Sequence, residues 1–318
     1  MIPAGQRLAR MLALSALVVL VVMAAFFCLV APSEAPIDSL EGKRNALWMG
    51  HRWFTGKVTA ADIDALVSNL DAHAVGDVFI HVGPLDCRGQ LTETAPPAWA
   101  TVRNRLKAKG VRLFAWMGGV TRWSYGEAPD TIDAARPEVR RGIITTAQAL
   151  VDEAHFDGVQ YDLEITPDGD AGFLALLDES REALRGTPIS VATPNLRPPW
   201  LLVAHLWTRD YFTEVARRCD QLAVMSYDTG LPTAQAYTRY LRWASSALGQ
   251  LVGSLPARRP TLLMGVPTCK EPSRSHRPSA ETPGAALQGL AADPTSLRGV
   301  AIYVEHTTTA EDWALLPR

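Results

Sequence analysis

The sequence predicts an α/β protein, a (β/α)8 TIM barrel preceded by one N-terminal transmembrane helix. Two observations carry the barrel. Along residues 45–318, short β-type runs alternate with longer helical patterns, the mark of βαβ units and a parallel sheet. Eight such runs and seven clear helical patterns fill that stretch, which suits a TIM barrel in count and size. A third observation, an apolar stretch near the N-terminus, carries the membrane helix.

Residues 1–10 hold Arg7 and Arg10 and read as a cytoplasmic n-region. Residues 11–31 follow as a transmembrane anchor or signal sequence. From Met11 to Val30 only Ser15 interrupts the apolar character, and about 20 helical residues rising about 1.5 Å each cross a hydrocarbon core. An uncleaved anchor fits better than a cleavable signal, whose apolar region usually runs roughly 7–15 residues. The small-x-small site Ser33-Glu34-Ala35 stands between Pro32 and Pro36. The arginines point to a single-pass protein of the cell membrane with its barrel facing the periplasm or cell exterior, or to a secreted one if the segment is removed. Residues 32–44 carry prolines, acids, Gly42 and Lys43-Arg44 and read as a linker.

The barrel is expected over residues 45–318. Its strands are read at Ala46–Met49, Asp77–Val82, Val111–Met117, Gly158–Glu164, Ile189–Thr193, Gln221–Tyr227, Thr261–Val266 and Gly299–Val304. Helical patterns lie between them at Ala60–Ala72, Ala98–Lys109, Pro137–Ala154, Ala171–Leu184, Arg209–Arg218, Ala234–Leu251 and Gly284–Leu290, with a remnant around Asp312–Leu316. Pro137 suits a first helical turn, where its missing N–H is no loss. Gly110 sits where a helix-terminating glycine belongs. A doubly wound open sheet is the alternative, weakened because no G-x-G-x-x-G follows the first strand.

Composition narrows the function. Of 318 residues 47% are hydrophobic, enough for a large core, and the net charge is −2 with both signs interspersed. No basic stripe is present, so nucleic acid is not an expected partner. Outside the apolar segment, which holds Cys28, the cysteines are Cys87, Cys219 and Cys269. Their odd number leaves room for one bridge at most. With neither C-x-x-C nor H-E-x-x-H in the chain, no metal and no cofactor are expected.

Barrel enzymes carry their chemistry at the C-terminal ends of the strands. The polar and aromatic residues there are His81, Trp116, Asp162, Glu164, Asn195, Tyr227, Asp228 and Glu305. The fourth strand is the most informative. Side chains alternate along it, so Gln160, Asp162 and Glu164 share a face, with the two carboxylates about 7 Å apart. Neighbouring buried carboxylates repel and raise at least one pKa, and a carboxyl protonated near neutral pH is what a general acid needs.

The run Asp157-Gly158-Val159-Gln160-Tyr161-Asp162-Leu163-Glu164 resembles the D-G-x-D-x-D-x-E motif of glycoside hydrolase family 18, the chitinases and their relatives. It departs at Gln160, where that family usually has another acid. Met225-Ser226-Tyr227-Asp228 resembles the family's sixth-strand M-x-Y-D, and Ile189–Pro194 is similar to its fifth strand. Tyr303 stands where the family's eighth strand usually ends in a substrate-stacking tryptophan, a second departure.

The resemblance implies hydrolysis of β-linked N-acetylhexosamine glycans, chitin-like or peptidoglycan-derived, with the substrate's acetamido group as nucleophile. Glu164 would be the acid, Asp162 the acetamide holder and Tyr227 the donor to the acetamide oxygen. Asp228, Gln160, Trp116, Tyr303 and Met225 would contact the substrate. The alternative is a non-hydrolytic, lectin-like glycan-binding member of the same fold.

The remaining aromatics, Trp123, Tyr125, Trp200 and Trp207, read as loop packing or sugar platforms. His81 reads as a core histidine or a substrate contact. The insert Lys270–Ser279 reads as a solvated loop or a rim of the cleft.

Overall fold

The computed structural model describes residues 37–125, 131–199, 201, 206–257 and 259–318. The expected n-region and the apolar segment 11–31 lie outside the described residues, as does Trp200. Among the described residues no helix is long and apolar enough to cross a membrane. The stretch read as a linker is described from residue 37, and there it packs on the barrel. Leu40 is buried, Ser39 Oγ donates to the Ala291 carbonyl, and Lys43 Nζ donates to that of Leu297.

Strands β1 (Asn45–Met49), β2 (Val75–Pro84), β3 (Arg112–Val120), β4 (Gly158–Glu164), β5 (Ile189–Thr193), β6 (Gln221–Val224), β7 (Thr261–Pro267) and β8 (Gly299–Tyr303) pair in parallel, in chain order. Pairing of β8 with β1 closes the barrel. The major helices are α1 (Ala60–Ala72), α2 (Trp99–Lys107), α3 (Pro137–Asp152), α4 (Ala171–Ala183), α5 (Arg209–Ala216), α6 (Ala234–Ser254), α7 (Pro283–Leu290) and α8 (Ala310–Leu315). Short polar side chains set many helix starts. Thr59, Asp170, Thr208, Thr233, Thr282 and Thr309 each accept a bond from a first-turn N–H. Pro137 begins α3 as expected.

The expected strands and helices all form, with shifted ends. Strand β3 and helix α6 each run three residues further than expected, whereas β6 stops three residues short, at Val224 instead of Tyr227. There the Ser226 N–H turns back to the Val224 carbonyl and its hydroxyl donates to that of Gly265, so the ladder ends although the apolar run continues. A four-residue helical turn, Arg122–Tyr125, follows β3.

Alternation gives each strand two destinations. Outward residues such as Val78, Leu113, Val159 and Val191 pack under the helices, and Trp48, Phe79, Phe114, Ala223, Leu263 and Ala301 fill the interior. Full burial of each large apolar chain contributes roughly 1.5–3 kcal/mol. Trp48, Phe79, Phe114 and Gly158 lie in register across four adjacent strands. A Cβ on Gly158 would stand 2.5 Å from the Phe114 ring and 2.8 Å from the Pro188 carbonyl. The glycine of the fourth-strand motif is therefore required by packing. The bottom of the barrel is closed by Asp77, 1% exposed, which accepts a two-pronged bond from Arg112 at 2.8 and 2.7 Å and another from Gln221 at 2.9 Å. All three cysteines of the barrel are free thiols.

Candidate active site

Asp157 anchors the start of β4, accepting the Leu113 N–H at 2.9 Å and the Lys107 ammonium at 2.7 Å. From that fixed end the pleat sends Val159, Tyr161 and Leu163 outward into the core. Gln160 and Asp162 point into the barrel, buried one above the other, and Glu164 stands at the mouth. The expected stacking of 160, 162 and 164 on one face is what the barrel displays.

Gln160 is fully buried. Its Oε1 accepts the Trp48 indole N–H at 2.8 Å and its Nε2 donates to Ser190 Oγ at 3.1 Å. It lies beneath the cleft and lines neither of its two spaces, so the expected substrate contact is not seen at its surface. One layer up, Asp162 Oδ2 accepts the Trp116 indole N–H at 2.7 Å. Its other oxygen, Oδ1, is buried with no hydrogen-bond partner, and so is the Tyr227 hydroxyl. Buried polar atoms are rarely left unsatisfied. These two belong to residues bordering one cavity of about 300 Å³, lined by Trp48, His81, Trp116, Asp162, Glu164, Tyr303 and neighbouring residues.

The walls are aromatic. The Tyr227 and Tyr303 rings stack at 4.7 Å, and Trp48 meets both edge-on at 6.5 and 5.8 Å. Trp116 stands edge-on to Tyr303 at 6.5 Å and packs on His81 at 4.8 Å. A second space of about 610 Å³ adjoins the first, since both are bordered by Asp162, Glu164, Met225, Tyr227 and Asp228. It is largely apolar beyond those groups, with Arg274 at its edge. Both volumes suit ligand cavities, which usually run about 300–1,000 Å³.

Burial pushes Asp162 well above the usual carboxylate range, and the nearby Glu164 charge pushes it further. The Trp116 bond opposes both. Glu164 is raised first by burial and then by Asp228. Its carboxylate meets the solvent of the cleft while protein crowds it on most sides, so it is both accessible and poorly hydrated. Asp228 is raised by burial and by Glu281 and pulled back by His276. Tyr227 is held far above its ordinary value by burial, so its hydroxyl keeps its proton. His81 is lowered to about 4 by burial and by His51, so a neutral imidazole lines the cavity.

The backbone after β6 is pinned from several sides. Asn195 Nδ2 donates to the Tyr227 carbonyl at 2.7 Å, and the Tyr237 hydroxyl donates to that of Ser226 at 2.7 Å. Asp228 adopts φ 57°, a left-handed conformation that aspartate tolerates better than most residues.

The structure thus brings Asp162, Glu164, Tyr227, Asp228, Trp116, Met225 and Tyr303 to one cleft. It does not bring all the mouth residues there. Glu305 is engaged by Arg52 at 2.6 Å and the Trp53 indole at 2.9 Å. Trp123 is 58% exposed beside Arg122. Trp207 edges the larger space but is buried, donating to the Thr166 carbonyl.

Three residues were not read from the sequence. Trp48 sits in an apolar strand, where nothing marks a residue of the cavity wall. His276 and Glu281 follow β7 behind Asp228, and their signal is hidden in a loop of ordinary polar composition. With Asp228 they bring ligand-type atoms within 4.8 Å of one another. Those atoms are already bonded among themselves and to backbone N–H groups, so the donor set favours a proton network over a cation.

No protein-family model matches the sequence, and no curated protein does. Solved structures do resemble it. The spore cortex-lytic enzyme SleL of Bacillus megaterium QM B1551 aligns with a TM-score of 0.61 at 12% identity, covering 86% of this chain and 74% of that one. A chitinase from Chromobacterium violaceum ATCC 12472 aligns at 0.58 and 13% identity, over 86% and 98%. The Group IV chitinase of Ostrinia furnacalis, in complex with allosamidin, aligns at 0.57 and 15%, over 86% and 97%. The chain is therefore similar in fold to chitinases and a cortex-lytic enzyme, as an eight-stranded parallel barrel.

Proposed function

We propose that the chain is a glycosidase of β-linked N-acetylhexosamine glycans, working by substrate-assisted retaining catalysis. One observation carries the reading. Asp162 Oδ1 and the Tyr227 hydroxyl are buried, unpartnered and on the borders of one cavity, an acceptor and a donor in want of a ligand. An acetamido group offers the complementary pair, an N–H for Asp162 and a carbonyl oxygen for Tyr227. The chitinase-like neighbours and the fourth- and sixth-strand motifs support the same substrate class.

In this reading Tyr227 and Asp162 hold the acetamide beneath the anomeric carbon. Its carbonyl oxygen attacks that carbon as the glycosidic C–O bond breaks, and Glu164 gives its proton to the departing oxygen. The acetamide N–H donated to Oδ1 favours the ionised form of Asp162 against the burial that raises it, and that charge stabilises the oxazolinium that results. Water then adds to the anomeric carbon, losing a proton to Glu164, and the ring reopens with configuration retained. Burial helps Glu164 keep its proton until it is needed. The aromatic walls present apolar faces to the sugar ring and exclude water.

A thiazoline analogue of the oxazolinium tests this directly. We expect it to bind at least ~10²-fold more tightly than N-acetylglucosamine, as a transition-state-like ligand should, and an aryl β-glucoside lacking the acetamide not to turn over. Efficient cleavage of the glucoside without thiazoline inhibition would rule the mechanism out. Thiazoline and glycan binding without hydrolysis of any N-acetylhexosaminide would identify a glycan-binding protein instead.

A further inference from the structure

The reaction outlined above uses Asp162, Glu164 and Tyr227 and leaves a buried ionisable pair behind Asp228 without a task. His276 and Glu281 are 4% and 1% exposed, and both come from the segment between β7 and α7. Glu281 Oε2 accepts the Asp228 N–H at 3.0 Å, and Oε1 accepts the Thr229 N–H at 2.7 Å together with the Thr229 hydroxyl. The same carboxylate meets His276 Nδ1 at 2.6 Å, and that nitrogen lies 3.2 Å from Asp228 Oδ1. His276 Nε2 lies 3.1 Å from the Cys269 carbonyl. A carbonyl only accepts, so Nε2 carries hydrogen, and Nδ1 can bond two carboxylate oxygens only with a proton between them.

Burying a carboxylate without compensation is expensive. Glu281 is compensated by His276 and by the N–H groups and hydroxyl of the turn after Tyr227. The Asp228 carboxylate, half exposed, borders both spaces of the cleft and the pocket beside Cys269. We propose that His276 and Glu281 are positioning residues of the site, which fix the Asp228 carboxylate and the Tyr227 ring relative to the substrate. Glu281 holds the backbone, and His276 holds and balances the carboxylate. The consequence for turnover rests on the glycosidase reading, whereas the positioning itself rests on the hydrogen bonds.

The groups that face Asp228 are Asp162 and Glu164 from β4, Tyr227 from its own segment, and Tyr303 from β8. From the segment after β7 come His276, Glu281, Cys269, Glu271 and Arg274. Among them, His276 keeps Asp228 ionised to lower pH, and the Asp228 charge helps keep Glu164 protonated to higher pH. Without His276, Asp228 holds its proton to higher pH and Glu164 loses a repelling neighbour. The basic limb of the kcat/KM profile, where Glu164 gives up the proton it must donate, then moves to lower pH.

The test is kcat/KM against pH for the full chain on an aryl N-acetyl-β-glucosaminide, with His276→Gln, Asp228→Asn and the double variant. Glutamine keeps a hydrogen-bonding amide at the site, and Glu281, which supports the backbone, is left in place. We expect His276→Gln to lower kcat/KM at least tenfold. Both single variants should move the basic limb downward, and the double variant should move it no further. A uniform loss at every pH with the limb unmoved, or a double variant that shifts by the sum of the two, would overturn the proposal. If the wild type binds a chito-oligosaccharide without hydrolysing it, the glycosidase reading alone falls. At least tenfold weaker binding by His276→Gln then supports the positioning role, and equal binding overturns it. Absence of both turnover and binding overturns both readings.

Discussion

Replacing Gln160 by glutamate probes the floor of the site with one nearly isosteric change. Gln160 is fully buried, accepting from the Trp48 indole and donating to Ser190 Oγ. A neutral glutamic acid reproduces both bonds, its carbonyl accepting and its hydroxyl donating. An ionised one places a buried charge under Asp162, whose own carboxyl is already raised by burial and by Glu164. The folded state should therefore hold the new carboxyl protonated. The unfolded chain releases that proton near pH 4.3, about 2.7 pH units below neutrality. At about 1.36 kcal/mol per unit, the variant loses at most about 3.7 kcal/mol at pH 7. The sign follows from a folded pKa above the unfolded one. The penalty is absent below about pH 4.3 and grows as pH rises toward the folded value. Urea unfolding of both proteins from pH 4 to 7.5, compared at each pH, cancels the titration of every other group. We expect near-equal stability at the acid end and a widening deficit toward neutrality. A deficit constant across the range would show that the residue beneath Asp162 is free to ionise, and the dry, neutral floor would be wrong.

Two further outcomes are expected. Gly158→Ala should lower stability by about 1–3 kcal/mol, read from the denaturant midpoint, because the new Cβ meets the Phe114 ring and the fixed Pro188 carbonyl. An unchanged midpoint would remove the packing explanation of that glycine. Tyr227→Phe and Asp162→Asn should each lower kcat more than they raise KM, since both groups act on the acetamide chiefly as it attacks. A rise in KM with kcat intact would reduce them to ground-state contacts.

The fold was legible because a barrel repeats one local pattern, and each β/α unit declares itself through periodicity and caps. The strand that carries the candidate acid was legible for a related reason. Period-2 alternation within one strand suffices to stack Gln160, Asp162 and Glu164. What alternation cannot reveal is a partner from elsewhere in the chain. Gln160 showed as an amide where an acid was usual, but the Trp48 indole that fixes it comes from 112 residues earlier. The end of β6 was missed because Met225 and Tyr227 continue the strand-like pattern, while the Ser226 N–H turns back to the Val224 carbonyl and its hydroxyl bonds that of Gly265. His276 was hidden by its neighbours. A segment rich in proline, serine and arginine reads as solvated, yet one imidazole within it is drawn inward by a carboxylate five residues on.

The most direct measurement is turnover of an aryl N-acetyl-β-glucosaminide by the wild-type chain and by Glu164→Gln. The substitution keeps the size of the side chain and removes the proton it donates. General acid catalysis is typically worth about 10²–10⁴ in rate. The account therefore expects the variant to lose at least about a hundredfold in kcat/KM, or about 2.7 kcal/mol of transition-state stabilisation, with binding of a chito-oligosaccharide preserved. Equal turnover by the two proteins would contradict it.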